Sequence, residues 1–487
     1  MYYGLSSIAA RFINYLLTPY LTFKFTEAQY GEMSIVYAFI PFMNIIFTYG
    51  METSFFRFSS KADKNIIYST TSLSLIFSTI ILSVLLIALQ HPLATLLQIT
   101  VHPEYLTLSA AIIALDALST IPFAKLRQDG RPMKFAAIKV GGILINIISI
   151  YFFLSLCPNW LKENPDHWCG KFFKADWAVG YALLANLIQN ALTLLFLSKE
   201  FVGFKWKFDA ALWKEIIVYS WPLIIAGFAG MINETFDRIM LGWWAPVSTV
   251  EAAKAEVGIY SACYKLSILI TLAVQAFRMG AEPFFFKQST EQNAPRVYAR
   301  VMKFFVITIC IMFLMVAMYL DVWKQFIRNP KMWVGLGVVP ILLLANMFLG
   351  IYYNLSIWYK LSNKTRAGAT ITVIGAAITL IINFLFIPHF SYMACAWATF
   401  ACYGTMMVVS FIWGQKHYRI PYAWKKLVAY MVIVVLLFFI HKTAVHFYNH
   451  LVFSLVFATV LLSIFMWFIF QVEKKEFKKL PVVGKFL

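Results

Sequence analysis

The stretch GMETSFFRF, Gly50 to Phe58, closes a long apolar run with a glutamate and, five residues on, an arginine. GAEPFFFKQ, Gly280 to Gln288, repeats that phrase 230 residues later. In both, a Gly stands two residues before a Glu, and two phenylalanines then precede a base: Phe55, Phe56, Arg57 and Phe285, Phe286, Lys287. At the opposite ends of the two runs, Gly31 is followed six residues later by Tyr37, and Gly258 by Tyr264. Ordinary interfacial anchoring would account for one end of such a match but not for both. The two runs read as copies of one helix, with Glu52, Arg57, Glu282 and Lys287 marking a gate or the end of a repeat.

Sixty-one per cent of the 487 residues are hydrophobic and 13% are charged, with a mean hydropathy of +0.73. Soluble domains carry about 25% charged residues. Many runs of 18 or more apolar residues are each long enough to cross a hydrocarbon core roughly 30 Å thick. The fold class is therefore an all-α polytopic membrane protein with about 14 transmembrane helices. Breaks at charge clusters, Pro and Asn/Gly-rich stretches place the spans near residues 3–23, 33–56, 66–90, 105–124, 135–156, 178–198, 216–241, 257–280, 300–320, 334–357, 367–386, 391–412, 427–445 and 451–470.

The net charge of +19 is first an orientation signal. With Lys139, Arg300, Lys303 and Lys442, near their span ends, counted with the adjoining loops, 28 of the 41 Lys and Arg residues fall on the loops after even-numbered spans and on the tail, 9 fall on the opposite loops, and four (Arg11, Arg238, Lys265 and Arg278) are left inside spans. The rich side is expected to be cytoplasmic, with both termini inside. Nucleic-acid binding is a remote second reading. No cleavable signal peptide is evident, since the first segment has no basic lead-in and carries Arg11. Met1 nearly abuts the first span, so further residues are expected ahead of it.

The copies are six helices apart, so they point the same way across the membrane. Parallel repeats related by an axis along the membrane normal place a binding site at their interface. The expected domains are two pseudo-symmetric six-helix bundles, 1–198 and 216–412, joined by a cytoplasmic linker at 199–215. Two C-terminal helices (413–470) and a basic tail (471–487) follow.

An ionisable group at the centre of a membrane helix costs at least about 2.5–3.5 kcal/mol, so it needs a partner or a wet cavity. Such groups concentrate on spans 1, 2, 7 and 8 of this chain. Ser7, Arg11, Asn14 and Thr18 form one helical stripe. Tyr37, Asn44, Thr48 and Glu52 form another, as do Tyr264, Ser267, Thr271, Gln275 and Arg278, with Lys265 beside them. Span 7 carries Asn233, Glu234, Asp237 and Arg238, and span 4 adds Asp116. Glu234 with Arg238 and Arg278 with Glu282 are i, i+4 neighbours and could be self-contained structural pairs. The eight histidines fall in loops or at span ends, and no HExxH, GxSxG or GxxxxGK[ST] occurs. Cys157 and Cys169 share a polar outside loop, where a disulfide is permitted.

YSWPLIIAGFAGMINETFDRIML (Tyr219–Leu241) resembles the seventh helix of oligosaccharide flippases of the multidrug/oligosaccharidyl-lipid/polysaccharide exporter superfamily. Pro222, Asp237 and Arg238 stand where that helix often carries Pro and an Asp-Arg pair. RFINYLLTPYLTFKFTEAQYGEM (Arg11–Met33) and VGIYSACYKLSILITLAVQAFRMGAEPFFF (Val257–Phe286) are similar to its first and eighth helices. The resemblance implies alternating access. Its cargo would be an undecaprenyl-diphosphate-linked glycan repeat unit, moved to the outer leaflet of a bacterial inner membrane for surface polysaccharides such as O-antigen and lipopolysaccharide. No enzymatic activity or cofactor is expected beyond an H+ or Na+ gradient, and the expected partners are the lipid-linked oligosaccharide, membrane lipids and polysaccharide assembly proteins. A diphosphate wants fixed cations: Arg11, Lys265, Arg238 and Arg278, in that order. Asn14, Tyr37, Asn44, Tyr264 and Gln275 would handle sugar, and Asp116, Glu234 and Asp237 are candidate coupling or gating acids. The alternatives are a lipid II flippase, a multidrug antiporter of the same superfamily and, further off, a membrane glycan polymerase.

Overall fold

A computed structural model of the chain describes residues 2–59, 63–201, 204–362, 364–448 and 450–477. It is all α-helical, with no strand among the described residues. The first half contains α1 (Tyr2–Tyr15), α2 (Thr18–Lys24), α3 (Glu27–Thr48), α4 (Met51–Phe58), α5 (Lys64–Ala88), α6 (Gln90–Leu96), α7 (Glu104–Gln128), α8 (Pro132–Tyr151), α9 (Cys157–Glu163) and α10 (Ala178–Phe196). The second contains α11 (Ala210–Trp244), α12 (Val250–Gln288), α13 (Ala294–Ala317), α14 (Leu320–Trp323), α15 (Val338–Leu355), α16 (Ile357–Leu361), α17 (Thr365–Phe390), α18 (Tyr392–His417), α19 (Trp424–Phe447) and α20 (Leu451–Phe477).

Hydrocarbon offers no partner for backbone amides, so an apolar chain crossing it folds as helix. Thirteen helical segments among the described residues are long and apolar enough to do so. The first expected span is instead divided into α1 and α2, where Pro19 in the first turn of α2 favours a fresh start. Elsewhere side chains set the starts. Thr26 and Gln29 form a reciprocal capping box on α3. Asp63 accepts from the amides of Asn65 and Ile66 to open α5. The end of the basic tail, 478–487, lies outside the described residues.

Close packing divides the chain into two compact units. The first comprises residues 1–262, 329–332 and 372–398, and the second 263–328, 333–371 and 399–487. In the first, Met51, Phe55, Ile67, Tyr68, Ile121 and Ile216 form a core joining α4, α5, α7 and α11. In the second, Ala281, Phe285, Ala294, Tyr298, Ile357 and Ile420 do the same for α12, α13 and α16.

A buried acid staples each unit on the base-rich side. Glu200, 3% exposed, accepts from Arg131 at 2.9 Å and Lys134 at 2.5 Å, while its carbonyl takes Tyr68 and Lys125. Glu473, 2% exposed, accepts from Lys303 at 2.8 Å, Lys426 at 2.6 Å and Tyr430 at 2.6 Å. Removing one partner from such a buried arrangement costs about 3–5 kcal/mol, because the other charge is left uncompensated.

Candidate functional site

The quoted phrase does the same job twice. Glu52, at the start of α4, pairs with Arg127 near the end of α7. Glu282, near the end of α12, pairs with Lys360 on α16 at 2.6 Å and with Arg278 at 2.9 Å. Each repeat glutamate thus holds the end of the fourth span in its own half. Thirteen residues beyond Phe55 and Phe285 stand the tyrosines Tyr68 and Tyr298, whose rings meet those Phe rings edge-on: Phe55–Tyr68 at 72° and Phe285–Tyr298 at 74°. The copies differ at the glycine. Tyr49 and Gly50 take positive φ of 32° and 74° and break the first copy between α3 and α4, whereas α12 runs unbroken through Gly280. Arg57 is exposed and lies over the Tyr219 ring at 4.4 Å; Lys287 is exposed.

The opposite ends of the copies meet. A Cβ on Gly31 would fall on the Lys254 carbonyl and crowd the Gly258 amide, and a Cβ on Gly258 would fall on the Glu27 carbonyl and crowd the Gly31 amide. Lys254 precedes Gly258 by four residues and Glu27 precedes Gly31 by four, so this is one symmetric crossing of α3 and α12, the small-residue contact typical of membrane helices. Beside it, Lys254 Nζ donates to Glu32 Oε1 at 2.8 Å, with the two side chains only 6% and 10% exposed. Asn329 donates to Glu27 at 3.0 Å at the same end of α3.

On α11, Asp237 is buried and fully engaged. Its Oδ1 accepts from Arg238 Nη1 at 3.0 Å and its Oδ2 from the Tyr260 hydroxyl at 2.6 Å. Arg238 also donates to the Glu234 carbonyl at 2.9 Å, and the Glu234 side chain is exposed. Asn233 donates to the Thr372 carbonyl and accepts from Thr379. Deeper in the first unit, Asn44 donates to Asp116 at 2.6 Å, linking α3 to α7. The Tyr37 hydroxyl donates to the Ala182 carbonyl and accepts from Asn186, both at 3.4 Å.

The remaining candidates are placed as follows. Arg11 and Asn14 lie on an exposed face of α1. Tyr264, Lys265 and Gln275 are half-buried on α12, and Arg278 lies over the Tyr353 ring at 4.7 Å. Sequence reasoning counted Lys139 with the loop bases, but it sits inside α8 over the Phe123 ring at 4.3 Å. It also treated Lys254 only as an orientation charge and overlooked Glu32, its buried partner 222 residues away. Within the first unit the geometry gives a closed helix crossing at one end of the repeat.

A family model described as polysaccharide biosynthesis protein matches residues 1–289. A search of curated protein sequences finds none that matches. Among solved structures, the lipid II flippase MurJ in its inward closed conformation is similar with a TM-score of 0.73 at 13% identity, covering 96% of this chain and 98% of that one. A multidrug resistance MATE-family transporter of the MOP superfamily is similar in its outward-facing conformation, with a TM-score of 0.58 at 13% identity over 88% of this chain and 94% of that one. Its inward-facing conformation gives 0.55 at 14% identity over 88% and 95%. At such identities the likeness shows the fold, one shared with the MurJ and MATE structures. The family match extends over more than half of the sequence, and the chain belongs to the polysaccharide biosynthesis protein family.

Proposed function

We propose that this protein is a flippase that carries an undecaprenyl-diphosphate-linked glycan repeat unit from the cytoplasmic to the outer leaflet of a bacterial inner membrane, by alternating access and without changing the cargo covalently. The observation that carries the reading is the symmetric crossing at Gly31 and Gly258, clamped by the buried Glu32–Lys254 pair. Two glycines with no side chains between them and one ion pair make a contact that closes tightly and can part without unfolding either helix. Alternating access requires such a contact at one end of the repeat.

Arg11 and Lys265 are the first candidates for the diphosphate. Arg238 and Arg278, paired with Asp237 and Glu282, follow in that order. Asn14, Tyr37, Asn44, Tyr264 and Gln275 would meet the sugar, and Asp116, Glu234 and Asp237 are the candidate acids for coupling or gating. Arg11→Ala and Lys265→Ala, tested in a strain whose surface polysaccharide depends on this protein, should each lower that polysaccharide at normal protein abundance. Wild-type polysaccharide with both substitutions would remove the cation assignment.

A second reading, lipid II as cargo, is favoured by the similarity to the lipid II flippase MurJ. The two separate cleanly. Rescue of growth in cells depleted of their lipid II flippase supports the second, and restored surface glycan without such rescue supports the first.

A further inference from the structure

On the base-rich side of the second unit, a cavity of about 590 Å³ opens between the start of α17 and the end of α18. That is within the roughly 300–1,000 Å³ of small-molecule sites. Lys364, Arg366 and Lys416 line it, together with Trp358, Trp413 and His417. The Trp358 ring is stacked on His417 at 5.5 Å and 13° and is held from behind by the Ser410 hydroxyl at 3.2 Å. His417 Nδ1 is fixed by the Trp413 carbonyl at 2.9 Å, so the aromatic wall is rigid.

Several bases on this side of the unit are matched to acids: Lys303 and Lys426 to Glu473, Arg300 to Glu476, and Lys360 to Glu282. No carboxylate among the described residues pairs with Lys364, Arg366 or Lys416. Three cations gathered around one hollow repel one another unless an anion joins them. The positive end of the 26-residue helix α17 adds to the same field.

A second feature says what kind of anion. Val408, Ile412 and Lys416 follow one another at i, i+4 and i+8 on α18, with Val408 48% and Ile412 58% exposed and Lys416 exposed above them. In a membrane helix such apolar exposure is surface for an acyl chain, and here it runs directly up to a cation at the rim of the cavity. Basic pockets between helices on the cytoplasmic side bind anionic lipid headgroups, and interfacial tryptophans sit at headgroup level.

We propose that this cavity is a binding site for the phosphate headgroup of an anionic phospholipid, phosphatidylglycerol or cardiolipin, whose acyl chain lies along Val408 and Ile412. The site is separate from the candidate cargo residues and does not depend on which glycan is carried.

The test reconstitutes the full chain in nanodiscs of mixed phosphatidylcholine and phosphatidylglycerol and measures the lipids retained after stripping, by mass spectrometry. The wild type should retain phosphatidylglycerol in preference to phosphatidylcholine. The triple variant Lys364→Ala/Arg366→Ala/Lys416→Ala should lose that preference, about five-fold per base removed. Lys199→Ala/Lys205→Ala/Lys207→Ala, a charge-matched change on an exposed segment of the same side, should keep it. A photo-crosslinker at Thr365 in the otherwise wild-type chain, which does not depend on the triple variant folding, should capture phosphatidylglycerol and not phosphatidylcholine. Inorganic phosphate at tens of millimolar should leave the retained lipid in place. Equal enrichment in the triple variant, no capture at Thr365, or displacement of the lipid by inorganic phosphate would each overturn the proposal.

Discussion

Gly31 and Gly258, equivalent residues of the two repeat copies, lie backbone against backbone, so each copy leaves the space the other fills. The contact tolerates no Cβ on either side. Gly31→Ala or Gly258→Ala is expected to force α3 and α12 apart, at the roughly 1–3 kcal/mol of an overpacked contact. That shifts the closed population by about ten-fold or more at the middle of this range. A cysteine at Met33, 6% exposed in this closed form, should react faster with a membrane-impermeant maleimide in the alanine variants. Equal labelling rates would show that the crossing does not govern access.

The neighbouring Glu32–Lys254 pair should show strong coupling. Glu32→Gln or Lys254→Met alone leaves a buried charge without its partner, which costs about 3–5 kcal/mol. The double variant Glu32→Gln/Lys254→Met removes both charges and should recover most of the loss. The checks are polysaccharide export and maleimide labelling of all four proteins, read as a double-mutant cycle. Additive effects would mean the pair is not a latch.

Glu473 makes a stability prediction independent of transport. Glu473→Gln strands Lys303 and Lys426 in a site that is 2% exposed at the acid. It should destabilise the detergent-solubilised protein by about 3–5 kcal/mol, read as a lowered melting temperature. The partly exposed pair formed by Glu282 and Arg278, by contrast, should contribute about 0.2–1 kcal/mol, so Arg278→Ala should scarcely move the melting temperature. The order of these two effects is what thermal-shift measurements must reproduce.

The helices were legible because an uncharged stretch such as Asn65–Gln90 has few alternatives to crossing a membrane. The repeat was legible because Gly50, Glu52 and Phe55 recur at one offset. That offset continues to Tyr68 and Tyr298, a signal present in the sequence and overlooked. Other features had no local signature. A glycine accepts both right- and left-handed backbone, so Gly50 and Gly280 read alike although only the first breaks its helix. The partners of Glu32 and Asp116 lie 222 and 72 residues away, and spacing along one helix cannot reveal a bond to another. Lys254 passed as an orientation charge because it sits near a span end, where a base is usually solvated.

Cys157 and Cys169 carry the last prediction. Their sulfurs are 3.3 Å apart and both residues are fully buried. A disulfide needs about 2.05 Å between sulfurs, an approach of just over an ångström in a segment that turns back on itself within 12 residues. In the same segment the rings of Phe152, Trp160, Trp168 and Phe172 pack against one another, holding the two chain segments together before any covalent bond forms. On the orientation proposed from the loop asymmetry, this segment faces the outer side. There a disulfide-bearing oxidant can accept the two electrons and two protons released as the thiols join. Membranes quenched with acid and alkylated without reductant should therefore show four reactive cysteines of six on denaturation, and six after reduction. Cys157→Ser should give the same count with and without reductant, and should lower stability by about 2–4 kcal/mol. Six reactive thiols in unreduced wild-type membranes would exclude the bond, and would mean that the aromatic cluster alone holds the loop closed.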